Sequence, residues 1–228
     1  MSEIFKQIVD TVKTKASLKQ EIYRNTLTTF ETFKSEAKKL IEDLSQEKEL
    51  FDRDVLLEYS EKGAFEFQLK IGGDVILFVM HTNVFDFDPS NSLKQTAYVK
   101  EEPNRSFCGN INIYNFLADS FKYNRYDDLG YLIGRIFVNK ENHFFLEGKR
   151  QLNFIHNNFA EDSIEQADIR EVISHAILYS MGFDLYAPPY RHVQEISVAQ
   201  WLQEATGMRI KTAKRLGFKF GTEQDELS

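Results

Sequence analysis

The first 62 residues contain neither glycine nor proline; the first glycine is Gly63 and the first proline is Pro89. Both residue types disfavour helix interiors, glycine through backbone entropy and proline through its missing N–H and its clash with the preceding turn. A run this long without either, ahead of a glycine-punctuated remainder, predicts a long helical element that must find something to pack against. Every seventh residue from Val9 is apolar or small: Val9, Ala16, Tyr23, Phe30, Ala37, Leu44 and Phe51. The companion seam, Phe5, Val12, Lys19, Thr26, Phe33, Leu40 and Glu47, is apolar only in part. A coiled coil requires both seams. Two packings therefore stay open, an arm laid on its own sheet and a dimerising arm. Ser17-Leu18-Lys19-Gln20 fits a capping box, so the element is one helix or two, near 3–15 and 18–48.

After Phe51 the apolar period changes to two. Phe65, Phe67, Leu69 and Ile71 alternate with Glu66, Gln68 and Lys70, the pattern of a half-buried antiparallel strand. Lys62-Gly63 and Gly72-Gly73 flank it as turn signals, with neighbouring strands expected near 55–60 and 74–84. The run Val75 to Met80 is apolar on both faces and predicts a central strand. Residues 86–107 form a long connection around Pro89 and Pro103, with a short strand expected at 95–100. Further strands are expected at 109–116, 131–138 and 143–147, the last two joined by a hairpin about Asn139-Lys140-Glu141-Asn142. Gly134 inside its strand points to a bulge or a close backbone approach. Ser163-Ile164-Glu165-Gln166 fits a second capping box, opening a helix that Gly182 closes.

Strands here are not separated one by one by helices, which argues against a doubly wound parallel sheet. The expected class is α+β: a long N-terminal helix or helix pair, a mostly antiparallel sheet of about five to seven strands, and C-terminal helices on one face. Residues 1–50 form the helical arm and 51–186 the sheet with its covering helix. Residues 187–228 form a small helical C-terminal segment, one compact unit with the sheet.

A single cysteine, Cys108, excludes an intrachain disulfide and a cysteine-rich zinc site, and suits a reducing compartment. The opening residues lack the basic-then-apolar layout of a signal peptide, and no apolar run reaches spanning length. The expectation is a cytoplasmic protein without membrane contact. The net charge of -7 argues against a surface that is basic overall. Twenty phenylalanines and ten tyrosines predict an aromatic-rich core.

Between Ala205 and Thr222 lie Arg209, Lys211, Lys214, Arg215 and Lys219 with no acid. Residues 201–216 of this stretch resemble a helix-turn-helix motif. Gly207 would stand at the turn, with Thr212 and Arg215 on the second helix. The resemblance implies a helix in the major groove, with Arg209, Lys211, Lys214 and Arg215 as nucleic-acid contacts. It departs from the pattern at Gln203, where a small residue is expected.

A second pattern, Phe144-Phe145-Leu146-Glu147-Gly148-Lys149, resembles the latter half of the PD-(D/E)xK nuclease motif. The resemblance implies that Glu147 and an upstream acid, Asp127 or Asp128, hold a divalent cation while Lys149 positions water. The proline of the motif is absent.

His81, Asp86 and Asp88 are close in sequence but not at metal-ligand spacing on a strand. His175 sits beside an apolar stripe, while His143, His156 and His192 fall near turns. Tyr114, Phe116, Phe121, Tyr123 and Tyr126, interleaved with Lys122 and Arg125, suit a core or, if exposed, a stacking platform. No residue set calls for a cofactor or a metal, and no catalytic group converges. The leading expectation is a non-enzymatic interaction module with a protein partner or homo-oligomer contact through residues 3–50. Nucleic-acid binding is the first alternative; a nuclease using Asp128, Glu147 and Lys149 is the second.

Overall fold

The computed structural model describes residues 2–148, 152, 158–192, 194–199 and 201. The breaker-free opening forms one continuous helical path: α1 (Glu3–Thr11), a π-helical stretch (Val12–Ala16) and α2 (Ser17–Gln46). Ser2 caps the start, its Oγ accepting from the Phe5 N–H. Of the one-helix and two-helix readings, the path follows the first, with no break at Ser17. The Ser17 hydroxyl donates back to the Val12 carbonyl instead of capping a new helix.

Six strands follow in simple meander order, each antiparallel to the next: β1 (Leu57–Gly63), β2 (Glu66–Ile71), β3 (Asp74–Phe85), β4 (Cys108–Leu117), β5 (Tyr131–Val138) and β6 (Phe144–Gly148). The Gly72-Gly73 turn joins β2 and β3, and Gly72 takes φ +55, a conformation open to glycine at little cost. The β4–β5 register shifts between Ile113 and Tyr114, opposite Gly134 and Leu132, which is the irregularity Gly134 signals.

The expected strand at 95–100 is instead helical. A 3-10 turn (Ser92–Gln95) leads into α3 (Ala97–Glu101), and a second turn covers Pro103–Ser106. Local caps decide this: Asn91 accepts from the Leu93 N–H and Thr96 from the Val99 N–H. A short helix, α4 (Ala118–Lys122), follows β4.

The helix after the sheet, α5 (Gln166–Met181), is capped by Glu165 with Asp168, not by Ser163. Ser163 bridges to His143, and the Ile164 N–H donates to Asn142, so this strand-like pairing holds the chain extended until Glu165.

From Leu18 onward α2 lies on one face of the sheet beside α5. Phe30, Phe33, Ala37 and Ile41 meet Phe67, Phe78, Ile111, Ile113 and Ile136 from the strands and Ile169, Ile173 and Ala176 from α5. At the seam's midpoint Thr26 presses on Gly109 of β4, where a Cβ would come within 1.9 Å of Thr26 Oγ1. A smaller cluster of Val99, Cys108, Phe137 and Phe159, flanked by Phe87, Tyr98 and Phe145, anchors the long 86–107 connection.

Buried Glu36 ties α2 to α5. Gln166 Nε2 donates to it at 2.5 Å, Lys39 Nζ lies 2.7 Å away and Arg170 Nη1 3.7 Å. Burial raises its carboxyl pKa, but these bonds and charges outweigh burial and leave the pKa below its ordinary value. Such a group adds stability above its unfolded pKa, about 4.3, which is lost as pH falls through the folded value. Glu36→Gln is expected to lower the urea midpoint at pH 7 by the equivalent of about 1–2 kcal/mol and to converge with wild type at acid pH, once the carboxyl is protonated in both states. A pH series of urea titrations checks this, and parallel curves for the two proteins would remove Glu36 as the cause.

Candidate interaction surface

The N-terminal part of the helical path does not reach the sheet. No residue of α1 or of the π-helical stretch is buried, whereas ten residues of α2 are. Yet α1 carries an apolar stripe. Ile4 is 70% exposed, Ile8 54% and Val12 55%, with Phe5 and Val9 beside them. At about 100° per residue these five share one side of the helix. Lys6 and Lys13, seven apart, border the stripe, while Glu3 and Asp10 lie behind it. Lys15 follows in the π-helical stretch. No described residue of the chain buries this stripe, and an apolar stripe left exposed is the usual mark of a contact surface.

The opposite end of the path has the reverse character. The last turn of α2 has no base. Glu42, Asp43, Glu47, Glu49, Asp52 and Asp54 are exposed there, with Lys48 and Arg53 among them. Leu50 is 80% exposed in the turn after α2, and Leu56 is exposed just beyond. Leu56 also forms a wall of an open groove of about 450 Å³ with Leu117, Phe183 and Leu185. The basic groups lining that groove include Lys70, 3.8 Å from Glu58, and Arg125, 2.8 Å from Asp128.

A buried polar hub lies at the β5–β6 turn. Asn139 Oδ1 accepts from the Glu141 and His143 N–H groups, and its Nδ2 donates to Tyr98 Oη at 2.9 Å. Tyr98 donates to Glu141 at 2.6 Å, Arg105 Nε donates to the same carboxylate at 3.1 Å, and the Arg105 guanidinium lies 4.4 Å from the Tyr98 ring. Burial, then the Glu141 bond, pushes the Tyr98 phenol well above its ordinary pKa. These groups satisfy one another, so the hub clamps the 86–107 connection.

The other candidate residues are separated. Glu147 pairs with Arg135 directly across β5 and β6. Asp128 accepts from Ser120 and pairs with Arg125 in the connection before β5. Tyr131, where β5 begins, is four residues before Arg135, roughly 13 Å at about 3.3 Å per residue. Each carboxylate is thus held by its own arginine, Asp128 ahead of β5 and Glu147 beside Arg135 in its middle. Lys149, Arg209, Lys211, Lys214 and Arg215 lie outside the described residues.

His81 Nδ1 accepts from the Asn83 N–H, Asp86 serves Lys94 and Ser106, and Asp88 caps Ser90. No group of three His, Cys, Asp or Glu side chains placed to hold a metal ion occurs among the described residues. Phe116 packs edge-on against Phe121, and Tyr126 stands exposed, so these aromatics share no single platform. Cys108 is fully buried, and burial, with Asp86 nearby, pushes its thiol pKa far up. No described helix is long and apolar enough to cross a membrane.

Comparison with protein-family models, curated proteins and solved structures finds no match. The chain's own geometry is therefore the ground for a functional reading. The seven-residue seams single out Phe5, Val9 and Val12 but pass over Ile4 and Ile8, which a four-residue spacing to Val12 would have found. The acidic end of α2 was missed as well; the excess of acids over bases between Glu42 and Asp54 was the signal that could have found it.

Proposed function

We propose that this protein is a non-enzymatic interaction module that self-associates through its N-terminal helix. The observation that carries the reading is the uncovered stripe of Ile4, Phe5, Ile8, Val9 and Val12. The contact surface narrows from residues 3–50 to 3–16, because α2 from Leu18 on commits its apolar side to its own sheet. Anchors spaced by four on one helical face are the usual means by which a helix docks into an apolar surface. The reading carries with it a cytoplasmic setting and a protein partner.

The test is sedimentation equilibrium of the full chain at roughly 1–100 µM. A reversible self-association is expected, abolished by Ile8→Asp. That substitution should leave the melting temperature of the monomer unchanged, since Ile8 is exposed and outside the described core. A wild-type chain that stays monomeric throughout this range would overturn self-association.

A further inference from the structure

The two ends of the helical path are complementary. One presents an apolar stripe bordered by lysines; the other presents exposed leucines among carboxylates. They lie about 65 Å apart along the path at roughly 1.5 Å per residue, so α1 cannot fold back onto the acidic end of its own continuous helix. We propose that α1 of one copy docks on the acidic end, residues 42–56, of a second copy. The inference rests on α1 being the contact surface and names what receives it.

Charge placement decides between partners. If two α1 helices paired with each other, Lys6 and Lys13 would border the seam on both chains, and the only acids, Glu3 and Asp10, lie behind it. Such a seam carries like charges and no salt bridges. Against residues 42–56 the same lysines meet Glu42, Glu47 and Glu49. The stripe meets Leu50 and Leu56, with the groove beside Leu56 open to a side chain of the size of Phe5.

A second observation supports a role for these acids outside their own fold. A helix C-terminus favours cations, yet the last turn of α2 carries Asp43 and no base, with Glu47 as its C-cap residue. Asp43 is taken up by Arg170 of α5. Glu42, Glu47 and Glu49 are exposed, and no ion pair among the described residues engages them. Five apolar side chains make a small contact beside the roughly 1,200–2,000 Å² of a stable interface. Reciprocal docking, each α1 on the other copy's acidic end, doubles the contact and closes it with two-fold symmetry.

The experiment is a charge exchange in the full chain. One variant carries Lys6→Glu, Lys13→Glu and Lys15→Glu; the other carries Glu42→Lys, Glu47→Lys and Glu49→Lys. Every altered residue is exposed, and circular dichroism and melting confirm that each variant folds. Each variant alone is expected to sediment as a monomer where wild type dimerises, while their equimolar mixture restores the dimer. In the mixture both reciprocal contacts again join opposite charges. Wild-type dimerisation should weaken at least several-fold between 50 and 500 mM NaCl, as exposed charge contacts do on screening.

If Ile8→Asp dissociates the dimer but the mixture stays monomeric, the acidic end is not the receptor, and α1 remains the contact surface. If Ile8→Asp leaves the dimer intact, α1 itself is wrong and the inference falls with it. A lysine-to-glutamate variant that dimerises like wild type also overturns the inference.

Discussion

Phe30→Ala is expected to lower unfolding stability by about 3–5 kcal/mol, the range for deleting a fully buried aromatic side chain. Phe30 is wholly buried, and its ring centroid lies 5.4 Å from that of Phe67. Phe67 stacks on Phe78 at 4.6 Å with planes 6° apart, and Phe78 in turn meets Phe33. Tyr59 closes the group from β1. The helix is thus fastened to three strands through one aromatic cluster, and removing its central knob leaves a cavity between rigid elements. Lys34 makes the loss larger, since its Nζ lies over the Phe30 ring at 5.4 Å and its side chain is buried. Denaturant melts of the purified variant measure the effect. A loss under about 1 kcal/mol would mean that the surrounding side chains collapse into the space.

Gly109→Ala is the second large effect, at about 3 kcal/mol or more, beyond the usual range for a single added methyl in a packed core. A Cβ at this position would stand 1.9 Å from Thr26 Oγ1 and 2.7 Å from Thr26 Cβ. Thr26 cannot swing aside freely, because its hydroxyl donates to the Ile22 carbonyl at 2.8 Å and the residue is wholly buried. The helix itself must therefore lift from β4, loosening contacts along its length. The distances also separate two rescues. Thr26→Ala keeps the atom at 2.7 Å and should restore little, whereas Thr26→Gly should restore most of the loss less the roughly 1 kcal/mol cost of a helical glycine. Equal stability of the two double variants would show that the crowding lies elsewhere.

Where a local rule and the tertiary need coincide, the residues announce the structure. Phe65 to Ile71 alternate because one face of β2 is core, and Gly72-Gly73 turn because a hairpin needs positive φ there. Gly134 marks the place where the β4–β5 register shifts. Rules failed where two local signals competed. Residues 95–100 have strand-forming side chains, but Thr96 caps a helix and Val99 is wanted in the small core. Ser163 has the composition of a cap, but His143 and Asn142 hold it extended.

The candidate surface was half legible. A long amphipathic helix was plain from residue types alone. Which third of it would be left uncovered depends on where the sheet ends, and no local pattern carries that. The hub around Asn139 was hidden in the same way, since Tyr98 and Arg105 reach it from more than thirty residues away.

The π-helical stretch gives the arm an aim as well as a length. In an unbroken α-helix the stripe of α1 and the sheet-facing side of α2 would run in nearly the same direction, as the seven-residue seam from Val9 supposes. One wide turn spends an extra residue and so offsets the two by about 100°. Val12 to Ala16 therefore act as an angular setting between a fixed body and a docking blade. All five residues are exposed, so insertions or deletions there would be tolerated by the core while turning the blade toward a different neighbour.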